Sequence, residues 1–213
     1  MNLFGDEGPL PAKHLTLVQM TNGAQDPSIT ALLTAMGDDE FDWIVMPYAG
    51  QTHIDEMEVF LNGVSGRWSP IQQLYGHCVS VKFDTSANLA TFGASQNDPH
   101  MSLIGINKYN SPAYEVAAAV GAIAAAHLQS APELSRPLQT LDLIGIKGPK
   151  LKADEFNITT RNALYYDGIS CLHIRKDRTV AIDRIITTYQ LNKWGMPDAS
   201  FLDVETMACL LYT

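Results

Sequence analysis

The sequence predicts an α/β domain: a mixed, mostly parallel sheet flanked by helices on both faces, with a C-terminal β-hairpin and a docked helix. The first observation is that short apolar runs typical of strands alternate with runs of helical spacing. The second is that 46% of the 213 residues are hydrophobic and 17% are charged, enough for a sizeable core. We therefore treat residues 1–213 as a single domain.

Strand-like and helix-like runs follow one another along the first 129 residues. Strands are expected over 14–20, 42–47, 77–83 and 101–107. Helices are expected over 27–36, which Gly37 ends, over 53–64, over 85–91, and over 111–129. The helix over 53–64 carries apolar residues at helical spacing, namely Ile54, Met57, Phe60 or Leu61, and Val64. This alternation favours parallel strands joined by helices.

Small side chains dominate the helix over 111–129, and turn-forming residues follow it. Ser111 and Pro112 suit its first positions, and the alanines of 116–126 favour close packing in the core over a contact between subunits. Residues 130–151 are rich in proline and glycine and predict a long surface loop. Residues 1–12 are expected to form a loop-like leader rather than a signal peptide, because they lack the basic start and apolar run of a signal peptide.

The C-terminal part predicts a hairpin and a helix. Residues 170–176 and 179–189 are β-rich, and the short Asp177-Arg178 step between them lacks the glycine that hairpin turns prefer. Ser200 is expected to cap a helix with Asp203 reaching back to it. An apolar stripe is expected to dock this helix, together with Ile182 and Ile186 of the strand; its residues are Phe201, Val204, Ala208 and Leu211.

Three motifs near the C-terminus resemble the tail sheath protein of Mu-like contractile-tailed bacteriophages. They are ITTYQ at 186–190, N-x-x-G-x-PD at 192–198 and SFLDVET at 200–206. Further blocks at 74–77, 97–100, 136–141 and 161–169 extend the resemblance over nearly the whole chain. The departures are the helix over 53–67 and the turn at 176–178, where a glycine is expected.

The resemblance implies a structural part of a contractile machine and no enzyme. Sheath subunits form a helical homopolymer around a tail tube and contract to drive genome ejection through the host envelope. The implied partners are other sheath subunits, the tail tube protein, the baseplate and the tail terminator, in a virion assembled in the host cytoplasm. The implied core domain is subtilisin-like and non-catalytic.

The resemblance also implies that the chain is a fragment of a longer protein. Apolar residues continue to the C-terminus without a stop signal, and the family would supply an N-terminal domain and a C-terminal arm. Since polymerisation is placed in those arms, we expect the fragment to be monomeric. A tailocin or a related contractile injection system has the same kind of sheath and stays an alternative origin.

Composition argues against several classes of partner. The net charge is -9 and the 14 basic residues are scattered, which opposes nucleic-acid binding. The longest run of small apolar residues, 116–126, is shorter than the roughly 20 residues that cross a bilayer. The cysteines are widely spaced in apolar contexts and are expected to be buried reduced thiols: Cys78, Cys171 and Cys209.

Catalytic and metal-binding signatures are weak. For an α/β hydrolase or protease, the second class of function, the nearest features are Ser95 and His77, but neither the subtilisin motifs nor a G-x-S-x-G elbow occurs. His100 is the best single candidate for a functional histidine. A turn built by residues 97–99 is nevertheless the better explanation of this segment. The six histidines lack the spacing of a zinc site, and residues 145–148 lack that of a P-loop. We expect no catalytic, cofactor or metal site.

Charged clusters leave two readings open. The acidic clusters at 38–40 and 55–58 are expected to be solvated helix ends rather than ion sites or contacts with a neighbouring subunit. The basic cluster on the hairpin is expected to be a solvated edge rather than a surface that pairs with another subunit. Its members are Arg175, Lys176, Arg178 and Arg184.

Overall fold

One five-stranded sheet organises the described part of the chain. The computed structural model describes residues 26–129, 134 and 136–211. The strands lie in the order β1-β2-β3-β4-β5; the first four are parallel and β5 is antiparallel to β4. Their bounds are Trp43–Met46, His77–Phe83, Met101–Ile106, Ile169–Ile174 and Val180–Arg184. The predicted mixed, mostly parallel sheet is confirmed.

Six α-helices of the described residues lie on the two faces of this sheet. Helices α1, α2, α3 and α5 cover one face, and α4 and α6 cover the other. Their bounds are Thr30–Met36, Gln51–Leu61, Ser86–Gly93, Ala113–Gln129, Ile158–Tyr166 and Val204–Leu211. No helix in the described ranges is both long and apolar enough to span a bilayer. The predicted strand over 14–20 lies outside the described residues.

Alternation along the strands builds two cores. Val79 and Val81 of β2 face α4, whereas Cys78 faces the opposite side of the sheet, as the two-residue period of a strand requires. Every residue of β3 is buried, because both of its faces are covered. Cys78 and Cys171 are buried free thiols, as expected of cysteines in apolar contexts.

Helix α4 packs in the core, as its small residues predict. Val116, Ala117 and Val120 are buried against the sheet. A Cβ atom added at Gly121 would lie 2.3 Å from Val45 Cγ2, which shows how closely the helix approaches β1. The alanine-rich sequence therefore serves packing within the domain.

Helices α2 and α5 differ from the sequence expectation. Helix α2 begins at Gln51 and ends at Leu61, so Val64 lies outside it and is 85% exposed. Helix α5 was not predicted at all, because Leu164 is its single buried residue and the apolar stripe is too narrow to detect. The one local signal is its N-cap: the Asn157 side chain accepts from the Thr160 backbone N–H over 2.8 Å.

The C-terminal hairpin and helix exist, but the predicted cap is wrong. Helix α6 begins at Val204, and Ser200 instead bonds the Asp198 carboxylate through both its backbone N–H and its hydroxyl. Phe201 is 38% exposed, so it does not belong to the buried stripe, whereas Val204 and Ala208 do. Its buried members in α6 are Val204, Met207 and Ala208. The side chains of Leu211 and Cys209 lie outside the described residues.

Part of the expected surface loop covers the edge of the sheet. The Thr140 N–H donates to the Ile182 carbonyl and the Leu143 N–H donates to the Val180 carbonyl, each over 2.9 Å. Leu138 and Leu143 are buried. The described part of 130–151 therefore pairs with the outer edge of β5 and adds to the core. The sequence did not predict this, because the segment has no helical or strand pattern.

Three arginines of the basic cluster on the hairpin pair with acidic residues of the same chain, while their side chains stay 38–48% exposed at the expected solvated edge. Because the acidic partners come from three distant segments of the chain, only the tertiary structure could reveal them. The pairs are Arg175 with Asp142, Arg178 with Glu155, and Arg184 with Asp203.

Candidate functional site

The two protease-like candidates, Ser95 and His77, do not meet. The exposed Ser95 hydroxyl donates to the Phe92 carbonyl over 2.7 Å and accepts from the Gln96 side chain over 2.8 Å. The His77 ring is buried, with Nε2 2.9 Å from the Ser102 hydroxyl. Among the hydrogen bonds of the described residues, none joins Ser95 to His77. The nucleophile and base that acyl transfer requires are not assembled here.

His77 begins β2 and makes a hydrogen bond, as a strand-start histidine is expected to, but the identity of its partner, Ser102, depends on strand register and is not visible in the sequence. Ser102 of β3 lies opposite Val79, two residues beyond His77, so the two side chains share one face. Burial, with a smaller effect of His100, lowers the pKa of His77 to about 3, which keeps the ring neutral. His77 Nδ1 has no partner among the described residues, so no carboxylate orients it. The pair links two strands in the interior.

His100 lies in the turn that precedes β3. Its ring stacks on Trp68 with 4.1 Å between centroids, and its backbone N–H donates to Asp98 Oδ1 over 2.8 Å. The Thr188 hydroxyl bonds both the N–H and the carbonyl of Asp98 at 3.0 Å. Burial lowers the pKa of His100 to about 4 and raises that of Asp98 to about 7. These groups hold the turn against the chain that follows β5.

The acidic cluster at 38–40 has a partner inside the chain. Arg67 is 2% exposed, and its guanidinium donates to the Gly37 carbonyl over 2.8 Å and to the Asp39 carbonyl. Burial lowers the pKa of Arg67, and the neighbouring carboxylates oppose this shift. Within the part of the chain that the structure describes, no group of three or more His, Cys, Asp or Glu side chains could hold a metal ion.

An open groove, which we call the α1–α2 groove, lies between the first two helices. It has a volume of about 520 Å³. The buried Leu33 contributes to its floor, and the exposed Val59 adds apolar surface. Two carboxylates of the second acidic cluster, Asp55 and Glu56, also line it; the remaining lining residues are Thr30, Thr34, Thr52 and Phe60.

A tight loop at 190–198, which we call the Trp194 loop, is closed by its own hydrogen bonds. The Asp198 N–H donates to the Gln190 carbonyl, and the Asn192 N–H donates to the Met196 carbonyl, each over 2.9 Å. The Asn192 side-chain oxygen also accepts from the Met196 N–H over 3.1 Å. These bonds fix the conformation of the N-x-x-G-x-PD motif.

The Trp194 loop is anchored at its base and apolar at its tip. Asn97 Oδ1 accepts from the Gln190 and Leu191 N–H groups over 2.7 and 2.8 Å. At the tip, Trp194 is 73% exposed and Met196 is 62% exposed. The sequence pointed to the motif through its resemblance, but the exposure of its aromatic residue emerges only from the structure.

The fold and these features define a mixed α/β domain whose buried polar clusters hold its elements together. The family model for the central domain of phage tail sheath proteins matches residues 22–188. The chain belongs to this family, and the resemblance found in the sequence is confirmed.

A curated relative supports the same assignment. The chain is 33% identical over 213 residues to the Mu-like prophage FluMu tail sheath protein of Haemophilus influenzae. The alignment covers 99% of this chain and 42% of that protein. The chain therefore spans less than half the length of this relative.

Solved structures share the fold at low sequence identity. A sheath tail protein from Desulfitobacterium hafniense has a TM-score of 0.58 at 13% identity, covering 84% of this chain and 39% of its own. A sheath tail protein from Listeria innocua has a TM-score of 0.54 at 16% identity. The match covers 85% of this chain and 38% of that protein. A chain in the cryo-EM structure of the anti-feeding prophage baseplate has a TM-score of 0.55 at 10% identity. The match covers 84% of this chain and 46% of that chain.

Proposed function

We propose that this chain is the central domain of a contractile-tail sheath subunit, which polymerises around a tail tube and contracts to drive genome ejection. The observation that carries the proposal is 33% identity to a Mu-like prophage tail sheath protein over 99% of the chain. The partners would be other sheath subunits, the tail tube, the baseplate and the tail terminator. The location would be the virion, after assembly in the host cytoplasm.

The architecture suits a subunit that moves as a rigid body. The five-stranded sheet carries a core on each face, and the hairpin edge is tied to residues 140–143. Close-packed cores resist continuous deformation. Contraction would therefore reorient whole domains, with the driving free energy stored as the difference between two sets of contacts between subunits.

This function needs no catalyst, and we propose that the domain is not an enzyme. His77 is enclosed beside Ser102, and Ser95 hydrogen-bonds its own helix end. An α/β hydrolase remains the competing class. A fluorophosphonate probe tests it: we expect no labelled serine, whereas labelling that Ser95→Ala abolishes would favour the hydrolase.

Electron microscopy of the full-length protein, expressed alone, tests the sheath function. We expect tubes with the dimensions of a contracted sheath. If the protein stays dispersed under conditions in which its folded state is verified, the sheath proposal fails. A tailocin sheath would also form tubes, and the genes beside this one would distinguish it from a phage tail.

A further inference from the structure

The Trp194 loop has the properties of a preformed binding element. Its backbone is closed by hydrogen bonds and held at the base by Asn97, so little conformational entropy is lost when it docks. Trp194 and Met196 are mostly exposed at its tip. Tryptophan and methionine are enriched at protein interfaces, and tryptophan is a frequent source of binding energy.

The α1–α2 groove offers a complementary surface. It combines apolar surface from Leu33 and Val59 with the carboxylates of Asp55 and Glu56. None of the described residues fills its volume of about 520 Å³. An apolar cleft with a few charged groups at its margin accepts an apolar side chain that has a cation beside it.

The loop carries such a cation. Lys193 Nζ lies 4.4 Å from the centroid of the Trp194 ring, so the positive charge and the aromatic surface form one unit. In a chain with a net charge of -9, two copies repel each other in general. A local contact between Lys193 and an acidic groove offsets that repulsion at one place.

We propose that the Trp194 loop of one copy docks in the α1–α2 groove of the next copy. Because loop and groove are different surfaces, the contact is head-to-tail, and repeating it produces rings or helices rather than a closed dimer. The inference rests on the proposed sheath function for its choice of a second copy as the occupant. It adds the residues through which neighbouring central domains meet.

Photo-cross-linking in the assembled full-length protein tests the contact. A photoreactive phenylalanine analogue replaces Thr34 at the groove, in a mixture of isotopically light and heavy copies. We expect mass spectrometry to find residue 34 of one label joined to a peptide with residues 191–196 of the other label. The matched control places the analogue at Ile144, which is 91% exposed and outside the groove, and we expect no such product from it.

Other cross-links would overturn the proposal. Such a result is a product with residues 1–25 of the same chain or a product with a different protein. The absence of any product that involves residues 191–196 would overturn it as well. Micrographs of the same sample separate this failure from failure of the sheath function. Tubes without a cross-link between residue 34 and residues 191–196 contradict only the docking contact. The cross-link without tubes supports the contact and contradicts the sheath proposal.

Charge reversal gives a second readout in the same assay. Lys193→Glu is expected to lower the cross-link yield about fivefold or more, and adding Asp55→Lys to the same chain is expected to restore it. Trp194→Ala is expected to lower the yield more than tenfold with an unchanged circular dichroism spectrum, because the side chain is mostly exposed. A yield that none of these variants changes would overturn the proposal.

Discussion

Ionisation of the buried Asp98 side chain opposes folding. Burial raises its pKa from 3.8 to about 7, so between these values the folded protein holds a proton that the unfolded chain has released. The free energy of unfolding therefore falls as the pH rises through this window. We expect Asp98→Asn to remove this loss, so that its stability relative to wild type increases by about 2 kcal/mol between pH 5 and pH 8.

Urea unfolding of both proteins at pH 5 and pH 8 measures this effect. The asparagine oxygen can still accept from the His100 N–H, which now bonds Asp98 Oδ1 over 2.8 Å. A stability difference that stays constant between the two pH values would show that Asp98 is already ionised in the folded protein.

Arg178 occupies a backbone conformation that favours glycine. Its φ is +71°, and its guanidinium binds the Glu155 carboxylate and the Pro149 carbonyl. Arg178→Ala loses these contacts and keeps the unfavourable backbone, whereas Arg178→Gly loses them and relieves it. We expect the glycine variant to be more stable than the alanine variant by about 1 kcal/mol. Thermal unfolding compares the two, and an alanine variant of equal stability would contradict this account.

At the scale of elements, the contact between the end of helix α3 and the segment that leads from α5 into β4 depends on a missing side chain. A Cβ atom added at Gly93 would lie 2.2 Å from the Asp167 carbonyl oxygen and 2.6 Å from Ile169 Cγ1. We expect Gly93→Ala to destabilise the domain by about 2 kcal/mol or more, because backbone must move to relieve the clash.

Chemical denaturation measures this cost, and Gly63→Ala is the matched control. A Cβ atom at Gly63 meets nothing within 4 Å, so that variant should unfold within about 0.5 kcal/mol of wild type. Equal effects of the two substitutions would show that the end of α3 does not approach Asp167 and Ile169 as closely as described.

Helix α6 docks through residues other than the aromatic one that the motif suggests. Val204 and Met207 are buried, whereas Phe201 is 38% exposed and packs edge-on against Tyr189. We expect Met207→Ala to cost about 2 to 4 kcal/mol, as truncation of a buried side chain does, and Phe201→Ala to cost clearly less. Thermal melts decide between them, and a larger loss at Phe201 would restore the sequence expectation.

At the scale of the whole molecule, we expect the 213-residue chain to be monomeric at micromolar concentration. A single contact between the Trp194 loop and a groove buries less area than stable complexes do, and a net charge of -9 disfavours association. The contact would become effective through repetition in a polymer. Size-exclusion chromatography with light scattering measures the mass, and a stable ring or filament of this chain would contradict the prediction.

The sequence by itself determined the class of fold, most of its elements and the family. Strands such as β2 and β3 are short runs rich in apolar residues, and Gly37 ends α1 at the predicted residue. These signals are local, since periodicity and capping depend on neighbours within a few positions of the chain. The motifs at 186–206 carried the resemblance in the same way.

Only the tertiary structure decided which side chains meet. The pairing of His77 with Ser102 depends on strand register, and the pairing of residues 140–143 with β5 depends on an edge supplied by a distant segment. The exposure of Trp194 and the burial of Leu33 beneath an open groove depend on the packing of whole elements. Contacts between residues far apart in the chain leave no local pattern, because the free energy that selects them arises from burial in the assembled fold.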